Sequence, residues 1–89
     1  MTNSQLNYTK KVIATIIIAS DKEDDHNVVK PSTTLDCLKY AEDYFNTKKT
    51  TKDIVDFTYD LMEVVLSKIN VIWPNDKKVS FVKMAVNNS

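Results

Sequence analysis

The stretch Val12-Ile13-Ala14-Thr15-Ile16-Ile17-Ile18 decides the fold. Its density of β-branched residues favours a strand. A strand here would have no polar face, because Val12, Ala14, Ile16 and Ile18 would line one side and Ile13, Thr15 and Ile17 the other. Such a sheet needs cover on both faces, which a chain of 89 residues can hardly supply. A helix resolves the conflict. On a helical wheel Tyr8, Ala19, Val12, Ile16, Ile13, Leu6 and Ile17 cluster, opposite Lys10, Asp21, Asn7, Lys11 and Lys22. Only Ile18 and Ala14 are misplaced. The spacing therefore predicts a helix over residues 4–22.

The other end of the chain reads the same way. Over residues 76–87, Val79, Val82, Val86, Ala85 and Phe81 share one side, with Lys83, Asn87, Ser80 and Lys77 on the other. Asn75 or Asp76 is placed to cap this helix after Pro74, although Lys77 and Lys78 in its first turn oppose the helix dipole. The competing fold is α+β, a β-α-α-β arrangement in which the two end segments pair as strands.

Between these ends lie two clearer helices. Residues 51–70 place Phe57, Leu61, Val64, Val65, Ile54 and Thr58, among others, on an apolar arc of roughly 200°, interrupted only by Lys68. An arc so wide predicts a central helix touching several neighbours. Thr50 and Asp53 resemble a capping arrangement, and Pro74 sets the stop near Asn70. Residues 33–46 put Leu38, Phe45, Ala41, Cys37, Tyr44 and Tyr40 opposite Lys39, Glu42, Asp43 and Asp36, with Ser32 or Thr33 as cap and Pro31 just outside. The short link 47–50 makes the two an αα-hairpin. The expectation is all-α: one domain over 1–89, a small compact four-helix bundle built on that hairpin, with up-and-down topology.

Composition narrows the function classes. Hydrophobic residues are 43% and charged residues 27%, and eight aromatic residues (one Trp, four Tyr, three Phe) can anchor a core, so the chain reads as globular. Twelve basic residues, all Lys, balance twelve acidic ones, and a net charge of zero gives no electrostatic reason to expect nucleic acid or an anionic membrane. Without Arg there is no planar fork for phosphate or guanine, and without Gly neither a P-loop nor a dinucleotide fingerprint. The apolar run 12–19 is too short to cross a bilayer. Lys10 and Lys11 before it outline a signal peptide, but no small-x-small cleavage site follows. A single cysteine excludes an internal disulfide and fits a reduced, cytoplasmic setting. Abundant Lys, Asn and Ile with no Gly or Arg suggest an AT-rich genome, such as that of a phage, a plasmid or a low-GC bacterium.

Few residues suggest chemistry. His26 beside Asp24 and Asp25 lacks the helical spacing of metal ligands and reads as a solvated acidic loop. Cys37 falls on an apolar arc and reads as structural. Lys48, Lys49 and Lys52 cluster at the hairpin link, a weak phosphate patch at best. No nucleophile–base pair or metal set is visible, so no catalytic residue, metal or cofactor is expected and the chain does not read as an enzyme.

One feature rises above the background. Asp53, Asp56, Asp60 and Glu63 recur at i, i+3, i+7 and i+10, making an acidic ridge along the longest helix, with Tyr59 at its margin. The ridge is either a solvated face, or carboxylates neutralised by lysines of another helix, or a docking edge for a basic partner. In size and class the chain is similar to small helical colicin- and bacteriocin-immunity proteins and to phage-encoded inhibitors of host enzymes. That similarity is architectural, carries no motif and transfers no residue. The expected function is protein binding, as inhibitor, immunity factor or regulator, with a partner of basic surface. The alternative is a helical nucleic-acid-binding regulator. A homodimer is expected only if the remaining helices cannot cover the central one.

Overall fold

A computed structural model describes residues 1–20, 31–47 and 54–88. They form four helices and, among the described residues, no strand: α1 (Asn3–Ser20), α2 (Pro31–Thr47), α3 (Ile54–Lys68) and α4 (Asn75–Asn87). Both end segments are helical, so the all-α bundle is the fold and β-α-α-β is not.

The reason is visible in α1. Its buried residues are Thr9, Val12, Ile13, Ile16 and Ser20, a single helical stripe, while the misfits Ala14 and Ile18 are exposed, Ile18 at 74%. Tertiary burial of one stripe outweighs the β-branched preference. Threonines enter the stripe without penalty because each hydroxyl bonds the preceding turn: Thr9 Oγ1 donates to Gln5 O at 2.7 Å and Thr58 Oγ1 to Ile54 O at 2.7 Å.

The helix ends depart from expectation in three places. α1 starts at Asn3, because Thr2 and Gln5 form a reciprocal capping box: Gln5 N donates to Thr2 Oγ1 at 3.1 Å and Thr2 N to Gln5 Oε1 at 2.8 Å. Pro31 is not outside α2 but is its first residue, where a missing N–H loses nothing and the fixed φ suits a helix. The cap of α4 is Pro74, with no side-chain cap bond, and not Asn75 or Asp76; its extended backbone leaves Asn75 as the first helical residue. The other end of α3 behaves as the sequence suggests. Asn70 takes φ 59, Val71 N donates to Leu66 O at 3.0 Å and Asn70 N to Ser67 O at 3.2 Å. This is a Schellman cap in which Asn supplies the left-handed residue of a glycine-free chain. The proposed Thr50–Asp53 cap, the lysines 48, 49 and 52, and the Asp24–Asp25–His26 loop lie outside the described residues.

α3 is the hub and packs on each of the other three helices. Phe57, Thr58, Leu61, Met62, Val65 and Leu66 are its buried face. Cys37 and Ala41, both fully buried, let α2 approach, and Phe57 rings contact Phe45 at 4.6 Å and Tyr44 at 5.1 Å between centroids. Trp73 in the α3–α4 link is buried against Phe81, with centroids 5.6 Å apart, and Lys77 Nζ lies 4.6 Å over its ring. α1, α2 and α3 contact one another pairwise, whereas α4 packs extensively only on α3. The Cα radius of gyration, 12.7 Å, is close to the roughly 12 Å of a compact chain of this length.

Candidate protein-binding edge

The acidic ridge is not uniform once it is placed in the bundle. Its first member, Asp53, lies outside the described residues. Asp56 is exposed, and Asp60 and Glu63 are half-buried. Glu63 points to α4, where Lys78 Nζ donates to its Oε1 at 2.8 Å. That hydrogen bond, with the nearby negative charge, raises the Lys78 pKa above its ordinary value. Tyr59, half-buried, stands on the same side and acts on the same ammonium. Glu63 is thus neutralised from within the fold.

The charges of Asp56 and Asp60 act on α2 instead. Burial raises the pKa of Tyr40 and of Tyr44, and the Asp60 carboxylate raises both further, Asp56 adding to the effect at Tyr44. Both phenols therefore keep their protons to a higher pH than an ordinary tyrosine. Among the described residues the ion pairs are Glu63–Lys78 and an exposed contact of 3.8 Å between Lys68 and Asp36, and neither engages Asp56 or Asp60. An exposed pair such as the second contributes at most about 1 kcal/mol.

The sequence singled out the carboxylates with Tyr59 at their margin, but not Tyr40. Tyr40 lies at the edge of its apolar arc; only the packing of α2 on α3 shows that this edge meets Asp60. Cys37 is fully buried, and that burial pushes its thiol up, so at neutral pH it is protonated and a poor nucleophile. No cluster of three metal-ligating side chains occurs among the described residues.

Charge is segregated by helix. α1 and α4 together carry a surplus of four positive charges, Lys10, Lys11, Lys77, Lys78 and Lys83 against Asp76. α2 and α3 carry a surplus of four negative ones, Asp36, Glu42, Asp43, Asp56, Asp60 and Glu63 against Lys39 and Lys68.

No family model, no curated protein and no solved structure matches the chain. The site therefore stands on its own geometry. Among the described residues no helix is long and apolar enough to cross a membrane.

Proposed function

We propose that this chain is a small protein-binding module, an inhibitor, immunity factor or regulator, that docks a basic partner through Asp56 and Asp60, flanked by Tyr40 and Tyr59. One observation carries the reading. Two carboxylates at i, i+4 on the hub helix are engaged by no ion pair among the described residues. Like charges at this spacing repel by a few tenths of a kcal/mol, roughly 0.2–0.5, and only Asp56, in the first turn of α3, complements the helix dipole; Asp60 does not. A carboxylate pair beside half-buried tyrosines is the composition of an interface anchor with a charged rim. The buried, protonated Cys37 favours binding over covalent chemistry. A cytoplasmic setting and a phage or plasmid origin belong to the same reading.

The nucleic-acid alternative draws less support. Of the three lysines of α4, Lys78 is bonded to Glu63 and Lys77 covers Trp73. A null mobility shift with duplex DNA at low salt is the expected result.

The test is affinity capture of the partner from the source cell, followed by binding kinetics of Asp56→Lys/Asp60→Lys. Electrostatic docking acts mainly on the association rate and weakens with salt, so the double variant should associate markedly more slowly. Its stability should stay within about 0.5 kcal/mol of the parent. Unchanged association would return the ridge to a solvated face.

A further inference from the structure

A second surface lies on the opposite charge. α1 and α4 both lean on α3, yet α4 has no second helix packed extensively against it. Between α1 and α4 runs an open groove of about 320 Å³. Val12, Phe81 and Ala85 line its apolar part, the first two buried in the core. Lys11, Thr15 and Met84 line it as well, with Lys11 and Met84 exposed. No carboxylate lines it, and α1 has none along its whole length.

The polar groups of the groove narrow what fits. Thr15 Oγ1 gives its proton to Lys11 O at 2.7 Å, which leaves only acceptor capacity. Tyr8, also in the lining, is hydrogen-bonded to Thr58 at 2.6 Å. Lys11 is the one cation of the lining and is engaged by no ion pair among the described residues. An occupant must therefore bring apolar side chains for Val12, Phe81 and Met84, and a negative charge for Lys11.

We infer that the α1–α4 groove docks an amphipathic, acidic helix of a partner protein, its apolar stripe in the groove and its carboxylates against Lys11. The shape supports a helix, because the lining recurs at i, i+3, i+4 and i+7 on both sides, from Tyr8 to Thr15 and from Phe81 to Asn88, so that the groove follows two helical turns. Charge supports an acidic one, since among the described helices α1 and α4 hold the positive surplus. A second copy fits poorly. Among the described residues six of its seven carboxylates lie on α2 and α3, whose apolar faces, Leu35 and the exposed start of α3 apart, are committed to its own core.

The probe is a pair of synthetic helical peptides with one leucine stripe, flanked by glutamate in the first and by lysine in the second. Each is titrated at low salt into the full-length protein, read by amide NMR shifts. The glutamate peptide should shift Lys11, Thr15, Met84 and Asn88, and the lysine peptide should not. Lys11→Glu should weaken the glutamate peptide by about tenfold. Met84→Lys, at a residue 45% exposed, should abolish its binding, with circular dichroism checking that both variants fold. Asp56→Lys/Asp60→Lys should leave it unchanged, which separates this groove from the acidic edge. Equal binding of the two peptides, or no groove shifts with the glutamate peptide, overturns the inference. So does decanoate shifting the groove where the peptide does not, which would make the occupant a small anionic amphiphile. Self-association abolished by Lys11→Glu would make it a second copy and overturn it equally.

Discussion

The hydroxyl relay from α1 to α3 gives the sharpest test of the packing. Tyr8 Oη lies 2.6 Å from Thr58 Oγ1, which lies 2.7 Å from Ile54 O. A carbonyl only accepts, so Thr58 spends its proton on Ile54, and the proton between the two hydroxyls comes from Tyr8. Tyr8→Phe removes that one bond. Thr58 is fully buried, so no water replaces the lost donor, and the loss should be about 1 kcal/mol, within the range of 0.5–1.5 for a net hydrogen bond. Thr58→Val removes both bonds but leaves the half-buried Tyr8 hydroxyl beside the open groove, where water can reach it. The double variant should therefore lose less than the sum of the singles, with a coupling of about 1 kcal/mol. A chain of this length is stable by roughly 4–13 kcal/mol, so 1 kcal/mol changes the folded ratio about fivefold. Urea unfolding followed by the fluorescence of Trp73, the chain's one tryptophan, measures all four states. A coupling below about 0.3 kcal/mol, the additivity limit for independent sites, would refute the relay.

Truncating the hub should be severe: Phe57→Ala should lose about 3–5 kcal/mol and Leu61→Ala about 2–5 in the same unfolding assay, whereas exposed Ile18→Ala should stay within about 0.5. Near-neutral values at Phe57 and Leu61 would mean that the arc is not the core. Alkali should destabilise the fold. Burial raises the pKa of Cys37, Tyr8, Tyr40 and Tyr44 above their ordinary values of 9.0 and 10.0, and the Glu63 bond raises Lys78 above 10.5. In every case the unfolded chain releases its proton first. This contribution is whole below the unfolded pKa and drains as pH climbs through the folded one. Midpoints rising above pH 9 would contradict these shifts. In sedimentation the chain should remain monomeric, because Phe57, Thr58, Leu61, Met62, Val65 and Leu66 are already buried within one copy.

What the sequence could disclose follows from distance along the chain. Helix faces are set by residues three and four apart, so the wheel of 4–22 already isolates Ile18 and Ala14, both exposed in the bundle, although Ala19, placed on the apolar side, is exposed as well. Caps are local too. Asn70 could be expected to end α3 in a chain without glycine, and the Thr2–Gln5 box was equally readable as T-x-x-Q. Contacts between helices depend on how each rotates about its axis, and no local pattern specifies that. Tyr40 beside Asp60, Glu63 on Lys78 and Trp73 on Phe81 are all of this kind. The ridge was thus legible as a row of carboxylates. Its division into a neutralised end and an open pair was not. The groove was less legible still, since it arises from packing that α4 lacks.

Net charge misleads in the same way. A total of zero argues against an anionic partner only if the charges are mixed, and the described helices sort them, with a positive surplus on α1 and α4 and a negative one on α2 and α3. At physiological salt fields decay over about 8 Å, and the molecule is 39 Å by 28 Å by 19 Å, so an approaching partner senses one face and not the sum. The sorting also bears on self-association. A two-fold dimer whose axis passed through α1 and α4 alone, or through α2 and α3 alone, would set that surplus against its like. A two-fold contact matches the signs only where it sets α1 or α4 of one copy against α2 or α3 of the other. Helices of opposite surplus charge, on a bundle whose hub is already covered, are the ground for proposing other proteins as the occupants of both sites.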